Sequence, residues 1–184
     1  VAPRPALVPL TFPPDRWAPY AELAGVSLEA RVRCRDGEFL EDLLFTHRGL
    51  SGPGILQISS YWREGEDLAI DLAPGHDIAA ALLAAKRARR QTVSNALLEH
   101  LPRRVATLWS GADNLAERPV ADTADKMLRA LADRVTSWRV VPTGSEGYRK
   151  AEVTLGGVDT RALSSQTMEA RAVPGLFFIG EVVD

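Results

Sequence analysis

Leu43 to Ser60 reads LLFTHRGLSGPGILQISS, and the fold turns on how this stretch is understood. An apolar run, Leu43-Leu44-Phe45, ends at Thr46-His47-Arg48. Gly49, Gly52 and Gly54 follow, and a second apolar run opens at Ile55. Strand, glycine-rich turn, helix is how chains offer backbone N–H groups to an anion or a cofactor. It is also an ordinary corner, and three details favour the corner. The spacing is G-x-x-G-x-G, not the G-x-G-x-x-G of dinucleotide sites. Pro53 removes one donor. Ser51 reads as a helix N-cap with Pro53 in the first turn. Nor is Ser-Gly-Pro-Gly the G-x-S-x-G elbow of a hydrolase nucleophile.

Upstream, Val26 to Arg35 alternates apolar and polar residues with a period of two, the mark of a half-buried antiparallel strand. Asp36-Gly37 signals a hairpin, and Glu38 to Thr46 is the return strand. Cys34 falls on the apolar face as a packed thiol. Val1 to Tyr20 reads as extended, because Pro3, Pro5, Pro9, Pro13 and Pro14 oppose a regular helix. Leu7, Val8, Leu10 and Phe12 can dock on the core or form an edge strand.

Downstream, Asp67 to Leu72 is a short alternating strand. The chain then changes character. Ile78 to Arg90 is rich in Ala, Leu, Lys and Arg and predicts a helix. Thr92 caps a second helix, Pro102 opens a third that ends at Gly111, and Asp122 or Thr123 caps a fourth with Met127, Leu128, Leu131 and Val135 as its apolar stripe. The run Lys86, Arg87, Arg89 and Arg90 reads as a solvated helix face. Strands resume at Thr136–Val141 and Ala151–Leu155. Met168–Val173 is a further extended segment. Leu176–Ile179 is continuously apolar, as in a strand buried on both faces. The expected fold is α+β: an antiparallel, barrel-like β part (1–76 and 135–173), a helical bundle (77–134) interrupting it, and a strand at 174–184 belonging to a second sheet.

Composition narrows the function classes. The 184 residues carry 22 basic and 24 acidic side chains, a formal net charge of −2, which argues against a nucleic-acid partner. One cysteine excludes an internal disulfide and fits a reducing, cytoplasmic setting. No apolar run approaches a membrane span, so no membrane partner is expected. Without H-E-x-x-H, a cysteine pair or a calcium loop, no metal site is expected either. The chain starts at Val1 in a proline-rich segment and ends just after an apolar run, which reads as a segment of a longer protein.

Four blocks carry a family likeness: PALVPL (Pro5–Leu10), LLFTHRGLSGPGILQISSYW (Leu43–Trp62), AEVTLGGVDT (Ala151–Thr160) and SSQTMEARAVPGLFFIGEVVD (Ser164–Asp184). Together they resemble the bacterial flavoproteins that include aminoacetone-oxidase-like, FAD-dependent oxidoreductases. In that family a long insertion of β-rich and helical parts splits an FAD-binding Rossmann domain. The resemblance implies that this chain is the insertion plus the first returning strand of the FAD domain. It would cover the flavin, shape the pocket for a small-molecule substrate, and be inactive and colourless alone. Its partner would be the FAD-binding domain of the same parent chain, with NAD(P)H as candidate electron donor.

The resemblance also places the site. Gly180-Glu181, with Asp184, resembles the strand end where glycine and an acid reach the ribityl chain of FAD; the alternative is a solvated strand end. Gly156, Gly157 and Val158 would face the flavin; the alternative is a tight turn. Thr46, His47 and Arg48 form the substrate-side tip. His47 is the one candidate acid or base, against the plainer reading of a strand-end histidine. Two other readings remain. One is a self-contained peptide-binding module with an exposed apolar groove at Phe45–Ile58, and the other is a hydrolase using Ser51 and His47. The C-terminal strand, if unpaired, could also mediate self-association.

Overall fold

The computed structural model describes residues 1–88 and 91–184; Arg89 and Arg90 of the basic run lie outside the described residues. In chain order the elements are β1 (Arg4–Ala6), β2 (Leu10–Thr11), α1 (Pro14–Ala21), β3 (Ser27–Cys34), β4 (Gly37–Phe45), β5 (Gly49–Ser51), α2 (Pro53–Ser59) and β6 (Leu68–Asp71). Then come α3 (Ile78–Ala88), α4 (Val93–Leu97), α5 (Arg103–Gly111), α6 (Asp125–Thr136), β7 (Trp138–Val140), β8 (Gly144–Ser145) and β9 (Val153–Leu155).

The α+β expectation holds. One antiparallel sheet runs β7-β6-β3-β4-β5-β2-β8, and β1 pairs with β9 in a separate ribbon. The large sheet stays open between its edge strands β7 and β8. β6 and β7 are direct neighbours, with Ile70 opposite Trp138. The helices α3 to α6 therefore leave the sheet at one strand and re-enter beside it, so the helical excursion does not disturb strand order.

β3 and β4 form the longest ladder, from Ser27↔Leu44 to Cys34↔Gly37. The period-two reading of β3 is realised. Ala30, Val32 and Cys34 are buried, while Ser27, Glu29 and Arg33 face solvent. Gly37 is the first residue of β4, so Arg35 and Asp36 make the two-residue loop, with Arg35 at φ 53°. Burial, then the carboxylates Glu66 and Asp67, push the Cys34 thiol up to about 11. It is a protonated, packed group at neutral pH.

The opening stretch is a corner with one more part than expected. β5 intervenes between the Thr46–Arg48 turn and α2. Ser51 belongs to β5, and the N-cap of α2 is Gly52, at φ 88°, with Pro53 in the first turn. Steric pressure, not anion binding, accounts for the two glycines. A Cβ on Gly49 would lie 2.0 Å from the Leu10 carbonyl oxygen, and one on Gly52 would lie 2.7 Å from that of Asp42. α2 then lays Ile55 and Ile58, both fully buried, against β4 and β3. Each such side chain contributes about 1.5–3 kcal/mol by burial.

Val1–Tyr20 is not extended throughout, because α1 begins at Pro14. At the first helical position a missing N–H costs nothing, so Pro14 starts the helix it seemed to forbid. Trp17 fixes the helix to the core, where it stacks on Phe12 at 4.5 Å between ring centroids and donates from Nε1 to the Thr46 carbonyl at 2.9 Å. Thr92 caps α4, its hydroxyl accepting from the Asn95 N–H at 3.3 Å. The cap of α6 is Ala124, not Asp122 or Thr123; those two end a 3-10 turn at Val120–Asp122, and the Thr123 hydroxyl donates to the Pro119 carbonyl. Thr136 closes α6 and does not begin a strand.

The helical elements meet the sheet through aromatic rings. Trp109 of α5 packs edge-on against Trp138 of β7 at 5.1 Å, and Phe45 and Tyr20 complete the cluster. Residues 163–184 differ most from expectation. Met168–Val173 and Leu176–Ile179 form only isolated bridges, Leu163↔Ala170 and Glu169↔Phe177. Phe177 and Ile179 are 54% and 75% exposed, so this run is not buried on either face by the described residues. A doubly buried strand needs a neighbour on each side, and here it has a single bridged partner.

Candidate functional site

β9 leads into Gly156-Gly157, and this turn meets the last residues of the chain. The Val158 N–H donates to the Val182 carbonyl at 2.8 Å, and the Asp184 N–H donates to the Val158 carbonyl at 2.9 Å, a parallel bridge between Val158 and Val183. Gly157 also donates to the Val1 carbonyl at 3.1 Å. Two segments singled out separately in the sequence are thus one assembly.

The six residues are not equivalent within it. A Cβ on Gly156 would sit 2.5 Å from the Ala2 carbonyl oxygen, and one on Gly157 would sit 2.4 Å from that of Val182. Those glycines serve the chain's own backbone. Gly180 differs: at φ 77° it has nothing within 4 Å of a Cβ position, and it is exposed. Glu181 and Asp184 are exposed beside it. The open backbone and two carboxylates fit one edge of a hydroxyl-bearing ligand such as the ribityl chain of a flavin. They make an edge, not a cradle.

Asp159 and Arg161 adjoin this assembly and were not singled out from sequence. Asp159 caps the Thr160–Ala162 turn and takes a fork of bonds from Arg161, from 2.6 to 3.1 Å. The Arg161 guanidinium, then its backbone N–H, holds the Asp159 carboxyl down at about 2. An acid two residues before an arginine, right after a glycine pair, was the available signal.

The tip Thr46–Arg48 lies elsewhere. Phe12 donates to the Arg48 carbonyl at 3.1 Å, while Gly157 meets Val1. The two candidate regions therefore sit at opposite ends of the N-terminal strand segment, and the described structure does not bring them together. The Thr46 hydroxyl closes the turn on Gly49, donating to its carbonyl at 2.9 Å and accepting from its N–H at 3.1 Å. Arg48 is tied to Glu146 at 3.1 Å. His47 is exposed and makes no hydrogen bond among the described residues, so neither a base partner nor the expected backbone bond orients it. Ser51 ends β5 and makes no hydrogen bond to His47 among the described residues, so the pair a hydrolase would need is not assembled. Phe45, Leu50, Ile55 and Ile58 are fully buried, so the apolar groove imagined for a peptide is interior.

Two of the concavities among the described residues lie between elements. One, of about 700 Å³, lies where α1, α5 and β7 meet; Tyr20, Leu108, Trp109 and Trp138 give it apolar walls. Arg134 and Arg139 also line it, each already paired, with Asp113 and Asp67. The other is an open cleft of about 1060 Å³ between α3 and α6, lined by Leu83, Lys86, Arg87, Asp122, Asp125 and Arg129 among others. Among the described residues no group of three or more His, Cys, Asp or Glu side chains is placed to hold a metal. No described helix is long and apolar enough to cross a membrane.

An open antiparallel sheet carrying a helical excursion between neighbouring strands defines a mixed α+β domain. Residues 4–153 match the family described as HI0933-like protein barrel and H2TH domain, and the chain belongs to that family. This agrees with the flavoprotein likeness at its coarse level. Over 183 residues the chain is 46% identical to the ribosomal RNA dihydrouridine synthase of Escherichia coli (strain K12), covering 98% of this chain and 46% of that protein. Over 187 residues it is 41% identical to the ribosomal RNA dihydrouridine synthase of Haemophilus influenzae (strain ATCC 51907 / DSM 11121 / KW20 / Rd), covering 100% of this chain and 46% of that protein. The chain spans about half the length of the curated relatives it matches.

Proposed function

We propose that this chain is the substrate-side part of a flavin-dependent ribosomal RNA dihydrouridine synthase. The observation that carries the reading is 46% identity along 98% of the chain to an enzyme of that name. The exposed apolar margin supports it. Leu155, Val173, Leu176, Phe177, Ile179 and Val182 are all more than a third exposed and lie on the segments that hold the glycine assembly. Exposed large apolar side chains in this number suit an interface, and its proposed occupant is the flavin-binding remainder of the same protein.

Dihydrouridine forms when a hydride and a proton add across the C5–C6 double bond of the uracil ring. A bound flavin, reloaded by NAD(P)H, would supply the hydride. This chain's share is positional. Gly180 would let backbone approach the flavin, Glu181 and Asp184 would accept from its hydroxyls, and the Val158–Val183 bridge holds that segment in place. The substrate in this reading is a uridine within ribosomal RNA, which replaces the small molecule suggested by the aminoacetone-oxidase likeness. It also replaces the absence of nucleic acid inferred from net charge.

The test is genetic and chemical together. Ribosomal RNA from cells lacking the gene should lose a dihydrouridine detected by mass spectrometry, and the complete protein should be yellow and restore it with NAD(P)H in vitro. Retention of every dihydrouridine in the deletion strain would overturn the reading.

A further inference from the structure

The formal charge of −2 hides a segregation. Residues 77–134 hold ten basic and seven acidic side chains, while the rest of the chain holds twelve and seventeen. Among the described residues, Lys86, Arg87 and Arg129 line the α3–α6 cleft with Asp122 and Asp125. Lys86 crosses it, donating to the Thr123 carbonyl at 2.8 Å and to Asp125 at 2.6 Å. Arg87 and Arg129 line the cleft beside that bridge, and Lys126 follows Asp125 on α6; all three are exposed and join no ion pair among the described residues. Of the two acids lining the cleft, Asp125 is neutralised by Lys86, and Arg118 leans over Asp122 onto its carbonyl at 2.9 Å.

Local helix physics explains only half of these cations. Lys86 and Arg87 lie in the last turn of α3, where the helix dipole welcomes positive charge. Lys126 stands in the first turn of α6, where the dipole opposes positive charge, and Arg129 just beyond it gains nothing from the dipole. A polyanion in the cleft would repay that placement. The surroundings select the kind of polyanion. None of the exposed large hydrophobic residues falls between 77 and 134 among the described residues, so there is no apolar contact for a lipid surface or an amphipathic peptide. Resting on the function proposed above, we infer that the α3–α6 cleft holds the phosphate backbone of the RNA substrate through Arg87 and Arg129.

The test uses the complete protein and a ribosomal RNA hairpin transcript, with binding followed by fluorescence anisotropy across a salt series. Arg87→Gln/Arg129→Gln should weaken binding at least about tenfold at low salt and flatten the salt slope by about two, one contact per lost charge. Arg149→Gln/Lys150→Gln, the same charge change outside residues 77–134, should leave affinity and slope unchanged. Flavin content and reduction by NAD(P)H should stay at wild-type level in both. If the cleft variant binds with the affinity and slope of the control, the inference falls. An enzyme that makes no dihydrouridine would overturn the function instead, and the binding series would still judge the cleft.

Discussion

At Gly49 the backbone of β5 runs so close to β2 that a single methyl group has no room, with the Leu10 carbonyl oxygen 2.0 Å from the would-be Cβ. Gly49→Ala should cost about 1–3 kcal/mol in urea unfolding, as an overpacked site does. Gly65→Ala, at φ 88° with open space around it, should cost only the backbone strain of about 1–2 kcal/mol. A loss well below about 1 kcal/mol at Gly49 would mean that β2 does not press on β5. Asp159 offers a second measurement. Its carboxyl is held down at about 2 by Arg161, below the roughly 3.9 of an unfolded chain. Its contribution to stability is therefore complete above the unfolded value and fades as pH falls toward 2. Carboxyl NMR titration should show the low value, and Arg161→Ala should return it to the ordinary range.

At the scale of elements, α1 shows how position overrides propensity. Five prolines in the first fourteen residues argued for extension, yet Pro14 occupies the one helical site that tolerates it, and Trp17 supplies the anchor. The cap of α4 by Thr92 was legible because side-chain capping is local. The cap of α6 was not, because the 3-10 turn at Val120–Asp122 answers to contacts with α3 far away in sequence. The helices are held on the sheet by Trp109, whose Nε1 donates to the Arg134 carbonyl at 3.1 Å while its ring meets Trp138. Trp109→Ala should cost about 3–5 kcal/mol, read as a large fall in Tm. Trp109→Phe should keep most of the packing and lose about 1 kcal/mol with the hydrogen bond.

For the whole molecule, the open sheet, the aromatic junction and the exposed apolar margin each have one role in the proposed enzyme: scaffold, hinge-free mount for the helices, and seat for the flavin-binding part. Alternation in Ser27–Phe45 was enough to specify the central hairpin, since a period of two fixes which face is buried whatever lies beyond it. The helical stripes from Ile78 to Val135 were legible for the same reason at a period of 3.6. The candidate site was legible only in pieces. Gly156–Val158 and Gly180–Asp184 stood out as glycine-acid motifs, but their pairing joins residues more than twenty positions apart and depends on the third dimension. Under the proposed function net charge is a poor guide to an RNA partner, because a sum over the chain carries no information on where charges gather. Local periodicity and turn chemistry determined the strands, helices and corner at Leu43–Ser60. Tertiary structure alone decided that this corner's glycines answer to neighbouring backbone, that Thr46–Arg48 lies away from the glycine assembly, and that α3 and α6 bring their cations together, because each of these is set by contact between segments distant in sequence.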